Sequence, residues 1–329
     1  MVFTFSDKLN ILCANHPRLM YDILFKAAWQ SLKKMMGEEK WCGAQAGMMA
    51  VLHTWGQNLS HHPHLHCVVP AGGLSFDGLR WKNCKKKSVL VDVKDLSALF
   101  QKTFMRLLRA HWEYEGIRFS GKAQKYEDIE EWRALFSSSV EKPWVVNASS
   151  RSDGAKQTFS YLSRYTHSVA ISEHRILELT EERVKLQYKD YADEDERGIP
   201  KKKILKLKYL DFIKKFVKHI LPSGFHKIRY FGFWSPSNRK RKLAKCQALL
   251  QHVPLQLTMK AIKALVLQKL GIDPSVCPAC QSPNLVTEIL SAKTYVLVET
   301  NKEPASTASG RAPPRSKAST QMEKADLRA

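Results

Sequence analysis

Residues Leu59–Pro70 read LSHHPHLHCVVP and place four histidines within six positions. The second half, HLHCVV, is closed by a proline and two glycines, a pattern that predicts a short strand ending in a turn. Because side chains alternate between the faces of a strand, His64 and His66 share one face, and Leu65 enters a core from the other. Two imidazoles about 7 Å apart along a strand can share a divalent metal ion. The alternative is a histidine-rich loop beside an ordinary strand.

The chain is strongly basic. Its 329 residues include 53 Lys and Arg against 31 Asp and Glu, which gives a net charge of +22. Such an excess indicates a polyanionic partner, most often nucleic acid, although ribosomal and membrane-surface proteins share it. Seven scattered cysteines form no disulfide framework and favour a reducing cytoplasm. We find no apolar run long enough to cross a bilayer and no signal-peptide layout in the first residues.

Hydrophobic periodicity predicts a mixture of strands and helices. Residues 45–81 are expected to form adjacent strands of an antiparallel sheet, with a hairpin turn at Asp77-Gly78. The small apolar residues 43–54 fit either a buried strand or a helix. Other predicted elements are helices after Pro17 and over 93–112 and 204–221, strands at 144–146, 169–171, 175–179, 184–188 and 228–234, an acidic loop over 190–198, and a further helix from the basic run 235–242.

Tyr161 and Tyr165 stand four residues apart in a segment, 155–166, that is predicted to be helical. This spacing puts both phenols on one face of a helix, beside Lys156 and Arg164. Two half-buried aromatic side chains are the ordinary explanation of such a pair. With a paired-histidine metal site and a basic chain, however, the tyrosines complete the parts needed to break and rejoin a DNA strand. A tyrosine can attack phosphorus and form a covalent intermediate while a metal ion polarises the phosphate.

Four segments of the sequence resemble the two-tyrosine HUH transposases of bacterial rolling-circle insertion sequences. They are HTWGQ at 53–57, HPHLHC at 62–67 with VPAGG at 69–73, YLSRYTHSVAIS at 161–172, and IRYFGF at 228–233 with Asn238-Arg239 and Lys242-Leu243. The resemblance runs from about Phe3 to Leu243. It implies an α+β fold, in which an HUH-endonuclease-like antiparallel sheet has flanking helices and is followed by a basic helical C-terminal region. The histidines would lie on a central strand and the tyrosines on a helix beneath it.

The resemblance also implies roles for individual residues. Tyr161 and Tyr165 would be the nucleophiles, forming a 5′-phosphotyrosine and leaving a 3′-OH. The partner would be single-stranded DNA at the transposon ends and target, in the bacterial cytoplasm at the nucleoid, with no membrane and no small-molecule cofactor. The divalent metal, Mg²⁺ or Mn²⁺, would be held by His64, His66 and a third ligand, either His53 or Gln57.

Three regions are expected along the chain: an HUH strand-transferase domain at 1–200, a basic DNA-binding region at 201–290 and a disordered tail at 291–329. Aromatic residues 230, 231, 233 and 234 either stack on bases or belong to a core strand. His61 and His62 are interpreted as loop residues, and His167 as a contact to phosphate or to the tyrosine helix. Contacts to DNA are expected from Lys156, Arg164, Arg239, Lys240, Arg241 and Lys242.

Cys277 and Cys280 form a CxxC pair, whereas a structural zinc ion takes four ligands. Cys246 and His252 would have to complete such a site; otherwise the pair marks a turn with two free thiols. Many members of the resembled family begin with a cysteine-rich zinc-binding module before the segment that starts here at Phe3, so we expect an N-terminally truncated copy. A non-catalytic nucleic-acid-binding protein and a metal-dependent nuclease that activates water are the alternative functions.

Overall fold

The computed structural model describes residues 1–85, 90–148, 157–158, 161, 166 and 170–251, together with eight isolated positions between 264 and 282. The chain divides into two units, Met1–Val253 and Pro254–Ala329. All helices and strands given below belong to the first unit.

Ten strands form three antiparallel sheets within the described residues. They are β1 (Val2–Thr4), β2 (Gly47–Trp55), β3 (His61–Val68), β4 (Gly72–Leu74), β5 (Trp81–Asn83), β6 (Val146–Asn147), β7 (Ile176–Leu179), β8 (Arg183–Glu194), β9 (Pro200–Lys208) and β10 (Ile228–Gly232). The central sheet has the order β10-β2-β3-β1-β6, and β4-β5 and β7-β8-β9 form smaller sheets. The histidine-bearing strand β3 therefore lies at the centre of the main sheet, as the resemblance implies.

Helices accompany these sheets, which confirms the α+β class. They are α1 (Asn10–Asn15), α2 (Pro17–Gly37), α3 (Val93–Glu115), α4 (Ile129–Val140), α5 (Tyr209–Val217), α6 (Pro236–Asn238) and α7 (Ala244–Leu249), with a π-helical turn at Arg239–Leu243 and 3₁₀ turns at Asp7–Leu9, Gly121–Glu127 and Glu173–Arg175. The helices predicted after Pro17 and over 93–112 are confirmed. No helix among the described residues has the length and apolar character to span a bilayer.

The main hydrophobic core covers one face of the central sheet. Phe3, Leu65 and Leu52 lie side by side across β1, β3 and β2, and each is at most 1% exposed. Apolar side chains of α2 and α3 join the same buried cluster. Burial alternates along β3, so that Leu65 and Cys67 enter this core while His64 and His66 stay on the other face. The predicted division of side chains between the two faces is confirmed.

The helix predicted over 204–221 is partly wrong. Residues up to Lys208 form β9, and the helix α5 covers only Tyr209–Val217. The sequence ILKLK has the two-residue period of a strand, and this period decides the structure because Leu205 and Leu207 pack against Val184 and Leu186 of β8. The acidic loop predicted from residue 190 also begins later, since β8 continues to Glu194.

The hairpin at Asp77-Gly78 is confirmed, with Gly78 at a positive φ of 74°. The expected sheet around it and the expected loop at His61 and His62 need correction. The hairpin strands β4 and β5 form a separate sheet, which is joined to the segment before β2 by a bridge between Gln45 and Leu74 and by further hydrogen bonds, such as that from the Gln45 side chain to the Ser75 carbonyl. His61 and His62 are not loop residues, because β3 begins at His61, which pairs with Trp55 after a register shift in β2.

The segment after residue 200 contributes to the central sheet. Strand β10 pairs with β2 from Ile228↔Val51 to Gly232↔Gly47. The boundary expected at residue 200 falls in the β8–β9 hairpin, whose strands pair from Arg183↔Lys208 onward. The predicted aromatic strand at 228–234 is thus an edge strand of the sheet that carries the histidines.

Replacing Leu65 by Ala tests the core assignment of β3. Leu65 is fully buried, so Leu65→Ala is expected to lower the free energy of unfolding by about 2–5 kcal/mol. Leu177→Ala is the matched control, because Leu177 is 49% exposed, and its effect should stay within about 0.5 kcal/mol. Urea unfolding measures both values. Equal, small effects would contradict the burial of Leu65.

Candidate metal centre

Three histidines converge on the face of the central sheet opposite the main core. His53 of β2 lies directly opposite His64 of β3, and His66 follows on the same face. One ring nitrogen from each lies within 4.8 Å of the others. The Nε2 atoms of His64 and His66 are 3.1 Å apart, the separation expected when two nitrogens about 2.1 Å from an ion bind it at right angles. The three residues could therefore hold one metal ion.

A backbone contact fixes the tautomer of His64. Its Nδ1 lies 2.7 Å from the carbonyl oxygen of His62, and a carbonyl can only accept, so Nδ1 carries the proton and donates. The lone pair of neutral His64 is consequently on Nε2, the atom that faces His66. Metal-binding histidines are typically oriented in this way by an outer hydrogen bond.

The surroundings keep these imidazoles neutral. Burial lowers the pKa of His64 to about 3, and burial together with the neighbouring His64 and His53 lowers the pKa of His66 to about 2. Neutral imidazole is the form that binds a metal ion. Because the ring nitrogens are unprotonated, no proton has to be displaced before a metal ion binds.

A tyrosine stands beside the histidines. The hydroxyl of Tyr161 lies 3.2 Å from Nδ1 of His66, and Tyr161 has helical backbone. The structure thus brings one predicted nucleophile to the predicted metal ligands across 95 residues of sequence. The remaining predicted residues of this segment, Tyr165, Lys156, Arg164 and His167, lie outside the described residues.

The two candidates for the third ligand occupy different positions. His53 belongs to the histidine group, whereas Gln57 lies in the turn after β2. The carbonyl oxygen of Gln57 accepts from the guanidinium of Arg175, which also donates to the carbonyl of Gln187 at 3.0 Å and of Ala170 at 3.5 Å. Arg175 therefore ties the turn after β2 to the segment that follows Tyr161. Sequence reasoning missed this residue, because an arginine just before a strand carries no signal for such contacts.

His61 and His219 form a second histidine pair, at the first residue of β3. His61 Nε2 lies 3.3 Å from the Tyr21 hydroxyl, and the rings of His61 and His219 stack with centroids 6.2 Å apart. His219 Nε2 donates to the Leu59 carbonyl at 3.4 Å, and its Nδ1 lies 3.4 Å from the hydroxyl of Thr54. Burial lowers the pKa of His61 to about 4. These contacts are structural ones between α2, β2 and the end of α5.

The predicted basic run lies at the surface next to β10. Arg239, Lys240 and Arg241 are exposed, while Lys242 donates to the side chain of Gln45 at 2.6 Å.

Of the four nearby aromatic residues, Phe233 is buried, Phe231 packs against the main core and Trp234 packs against a smaller one. The core interpretation therefore holds for these three. Tyr230 differs, since it is 48% exposed.

The predicted zinc site cannot be assembled from the described residues. Cys246 is buried against Leu74 and Phe233, and the backbone N–H of Cys277 donates to the carbonyl of Ser282 at 2.9 Å. Cys280 and His252 lie outside the described part of the chain. The zinc site stays a prediction.

An antiparallel sheet with flanking helices and a His-Leu-His pair on a central strand defines an HUH-like α+β protein. Residues 47–242 match the family Y2_Tnp, described as "Putative transposase", and the chain belongs to this family. It is 35% identical over 291 residues to "Putative transposase y4qJ" of Sinorhizobium fredii (strain NBRC 101917 / NGR234), covering 87% of this chain and 72% of that protein.

A second relative is more distant. The "Transposase for insertion sequence element IS801" of Pseudomonas savastanoi pv. phaseolicola is 27% identical over 300 residues, which cover 89% of this chain and 68% of that protein. No solved structure matches the chain. Family and relatives together identify a transposase, whose partner is DNA.

Removing individual histidines tests the metal centre. His53→Ala, His64→Ala and His66→Ala are each expected to weaken Mn²⁺ binding by at least about tenfold, because each removes a nitrogen ligand. Isothermal titration calorimetry measures the affinity. His62→Ala is the matched control, because His62 is not a member of the histidine group and the variant keeps the backbone carbonyl that orients His64, although it removes a ring 5.2 Å from that of His64. If His53→Ala binds like wild type while Gln57→Ala loses the metal, the third ligand is Gln57 instead.

Proposed function

We propose that this transposase nicks and rejoins single-stranded DNA through a 5′-phosphotyrosine intermediate and so drives rolling-circle transposition. The observation that carries the proposal is the 3.2 Å approach of the Tyr161 hydroxyl to His66, a member of the histidine group. A phenol poised beside a metal-binding site is the arrangement that nucleophilic attack on a phosphate requires.

The reaction exchanges one phosphate ester for another. The Tyr161 oxygen forms a bond to phosphorus, the bond from phosphorus to the 3′ oxygen breaks, and that oxygen leaves as a 3′-OH after taking up a proton. Rejoining reverses these steps with a 3′-OH as the attacking group. Because the number of phosphodiester bonds is conserved, the cycle needs no nucleotide energy source. Tyr165, four residues further along the chain, would serve the second transfer.

His66 would control the proton of Tyr161. When Nε2 of neutral His66 acts as a ligand, the ring proton resides on Nδ1, the atom 3.2 Å from the tyrosine oxygen. Nδ1–H would then donate to that oxygen and stabilise its anionic form. This matters because an unperturbed phenol has a pKa near 10 and is a weak nucleophile at neutral pH.

The donor set is suited to a divalent transition metal. When bound, the ion would polarise a phosphate oxygen and so favour attack on phosphorus. His64 and His66 would hold it with His53 as third ligand, Gln57 being the alternative. Mg²⁺ prefers oxygen ligands and gives up its water reluctantly, so three imidazoles fit Mn²⁺ better than Mg²⁺.

The basic surface would hold the DNA. Release of counterions from phosphates favours binding, and the net charge of +22 is consistent with this. We place the strand-transfer site in residues 1–200 and additional DNA contacts in 201–290, the region that contributes β10 to the central sheet. The contacts proposed are Lys156, Arg164, Arg239, Lys240, Arg241 and Lys242.

A denaturing gel tests the proposed chemistry. The purified protein is incubated with Mn²⁺ and a labelled single-stranded oligonucleotide carrying the end of the element and its flank. We expect a protein–DNA band that survives denaturation and disappears with EDTA, in His64→Ala, and in the double variant Tyr161→Phe/Tyr165→Phe. Tyr114→Phe, on the exposed face of α3, is the matched control and should keep the band.

The alternatives give different results in the same gel. Cleaved DNA without a covalent band would indicate a nuclease that activates water. Retained DNA binding without cleavage or a covalent band would indicate a non-catalytic binding protein. Either outcome would contradict the strand-transfer mechanism.

A further inference from the structure

A groove of about 770 Å³ lies at the β10 edge of the central sheet. Its floor is the end of β10 that pairs with the start of β2, and its sides are α2, the β4–β5 turn and the segment from Ser235 to Lys245. All of these elements belong to the Met1–Val253 unit. The volume falls in the range of small-ligand sites, about 300–1,000 Å³, so the groove is large enough for a nucleotide.

The groove is electropositive. Lys33, Arg241 and Lys245 line it, are exposed, and make no ion pair with any described residue. The one carboxylate on its lining belongs to Asp77, which already accepts hydrogen bonds from the Ser75 hydroxyl and the Leu79 backbone N–H. Such a group of cations attracts an anionic ligand.

Exposed aromatic rings distinguish this groove from a simple phosphate site. Tyr230 is 48% exposed and Phe76 is 66% exposed, and both line the groove. Behind them Trp29 stacks on Phe231, with centroids 5.5 Å apart, and closes the groove towards the core. Accessible rings beside a row of cations are typical of surfaces that bind single strands, because bases stack on the rings while the cations contact the backbone.

The groove straddles the β10 edge of the sheet: Trp29 and Phe231 lie on the side of the main core, whereas Tyr230 lies on the face that carries the histidines. Tyr230 lies directly opposite Met49 of β2, which is four residues from His53 and on the same face by alternation. Four residues of strand span about 13 Å, or about four nucleotides of a stacked strand at 3.4 Å each. A strand whose phosphate lies at the histidines therefore reaches Tyr230 within a few nucleotides.

We propose that this groove binds nucleobases of the single-stranded DNA substrate about four nucleotides from the phosphate that is cut. Tyr230 and Phe76 stack on the bases, and Lys33, Arg241 and Lys245 contact the flanking phosphates. The inference rests on the proposed function for the position of the cut, and it assigns that reaction a base-binding subsite. The proposed DNA-binding surface extends beyond the basic run at residues 239–242, because α2 and the β4–β5 turn also contribute contacts to DNA.

Fluorescence anisotropy in EDTA tests the groove separately from catalysis. The probe is the labelled single-stranded oligonucleotide with the element's end and flank. Tyr230→Ala is expected to weaken binding about tenfold, and Lys33→Ala/Lys245→Ala to weaken it and to lower the salt slope by about 0.7 per lost phosphate contact. Tyr114→Ala and Lys102→Ala, exposed positions on α3, are the matched controls and should bind like wild type. Circular dichroism melting checks that each variant is folded.

An abasic scan of the oligonucleotide locates the contact. Abasic sites about four nucleotides from the cut should weaken binding to wild type and have little further effect on Tyr230→Ala. Groove variants that bind like the α3 controls, or an identical abasic profile in wild type and Tyr230→Ala, would overturn the proposal. Absence of single-strand binding by wild type would overturn it as well. Loss of the covalent band alone would contradict only the strand-transfer mechanism, because the groove is measured without metal.

Discussion

His53 and His64 face each other because β2 and β3 pair in one antiparallel register, with Leu52 opposite Leu65 in the core. A slip of one residue would turn the histidines of β3 into the core and its leucine to the outside. Burial of the leucine pair thus stabilises the register that brings three imidazoles together. The site is a consequence of the packing on the opposite face of the sheet.

The histidine group is buried at His53 and half-buried at His64 and His66. Within the described residues, the group that could hold a metal contains histidines and no carboxylate. An ion held by neutral ligands keeps its full positive charge, which favours a phosphate as an additional ligand. The same burial that lowers the pKa of His64 and His66 also reduces screening by water, so this attraction acts in a medium where electrostatic interactions are stronger than in bulk solvent. The basic surface then extends the attraction over a longer range.

The sequence predicts some of this architecture, and the reasons differ between residues. His64 and His66 could be assigned to one face from alternation alone, since a strand has only two faces. The choice between His53 and Gln57 could not be made, because spacing along the chain does not fix the register between two strands. The helical period was assigned to 204–208 although those residues form a strand, because leucines and lysines in a short run fit both periods. Contacts between distant segments could not be predicted, because no local pattern contains them. Examples are the hydrogen bond from Arg175 to Gln57 and the groove that Phe76, Lys33 and Tyr230 line together.

Mapping the covalently attached nucleotide by mass spectrometry is the most direct test of the claim that Tyr161 attacks the DNA. Trypsin cleaves after Lys156, Arg164 and Arg175, so residues 157–164 carry Tyr161 and residues 165–175 carry Tyr165 on separate peptides. After digestion of the trapped complex with nuclease and trypsin, the account predicts a nucleotide mass on peptide 157–164. An adduct found only on another peptide, or cleaved DNA with no adduct on any peptide, would contradict it.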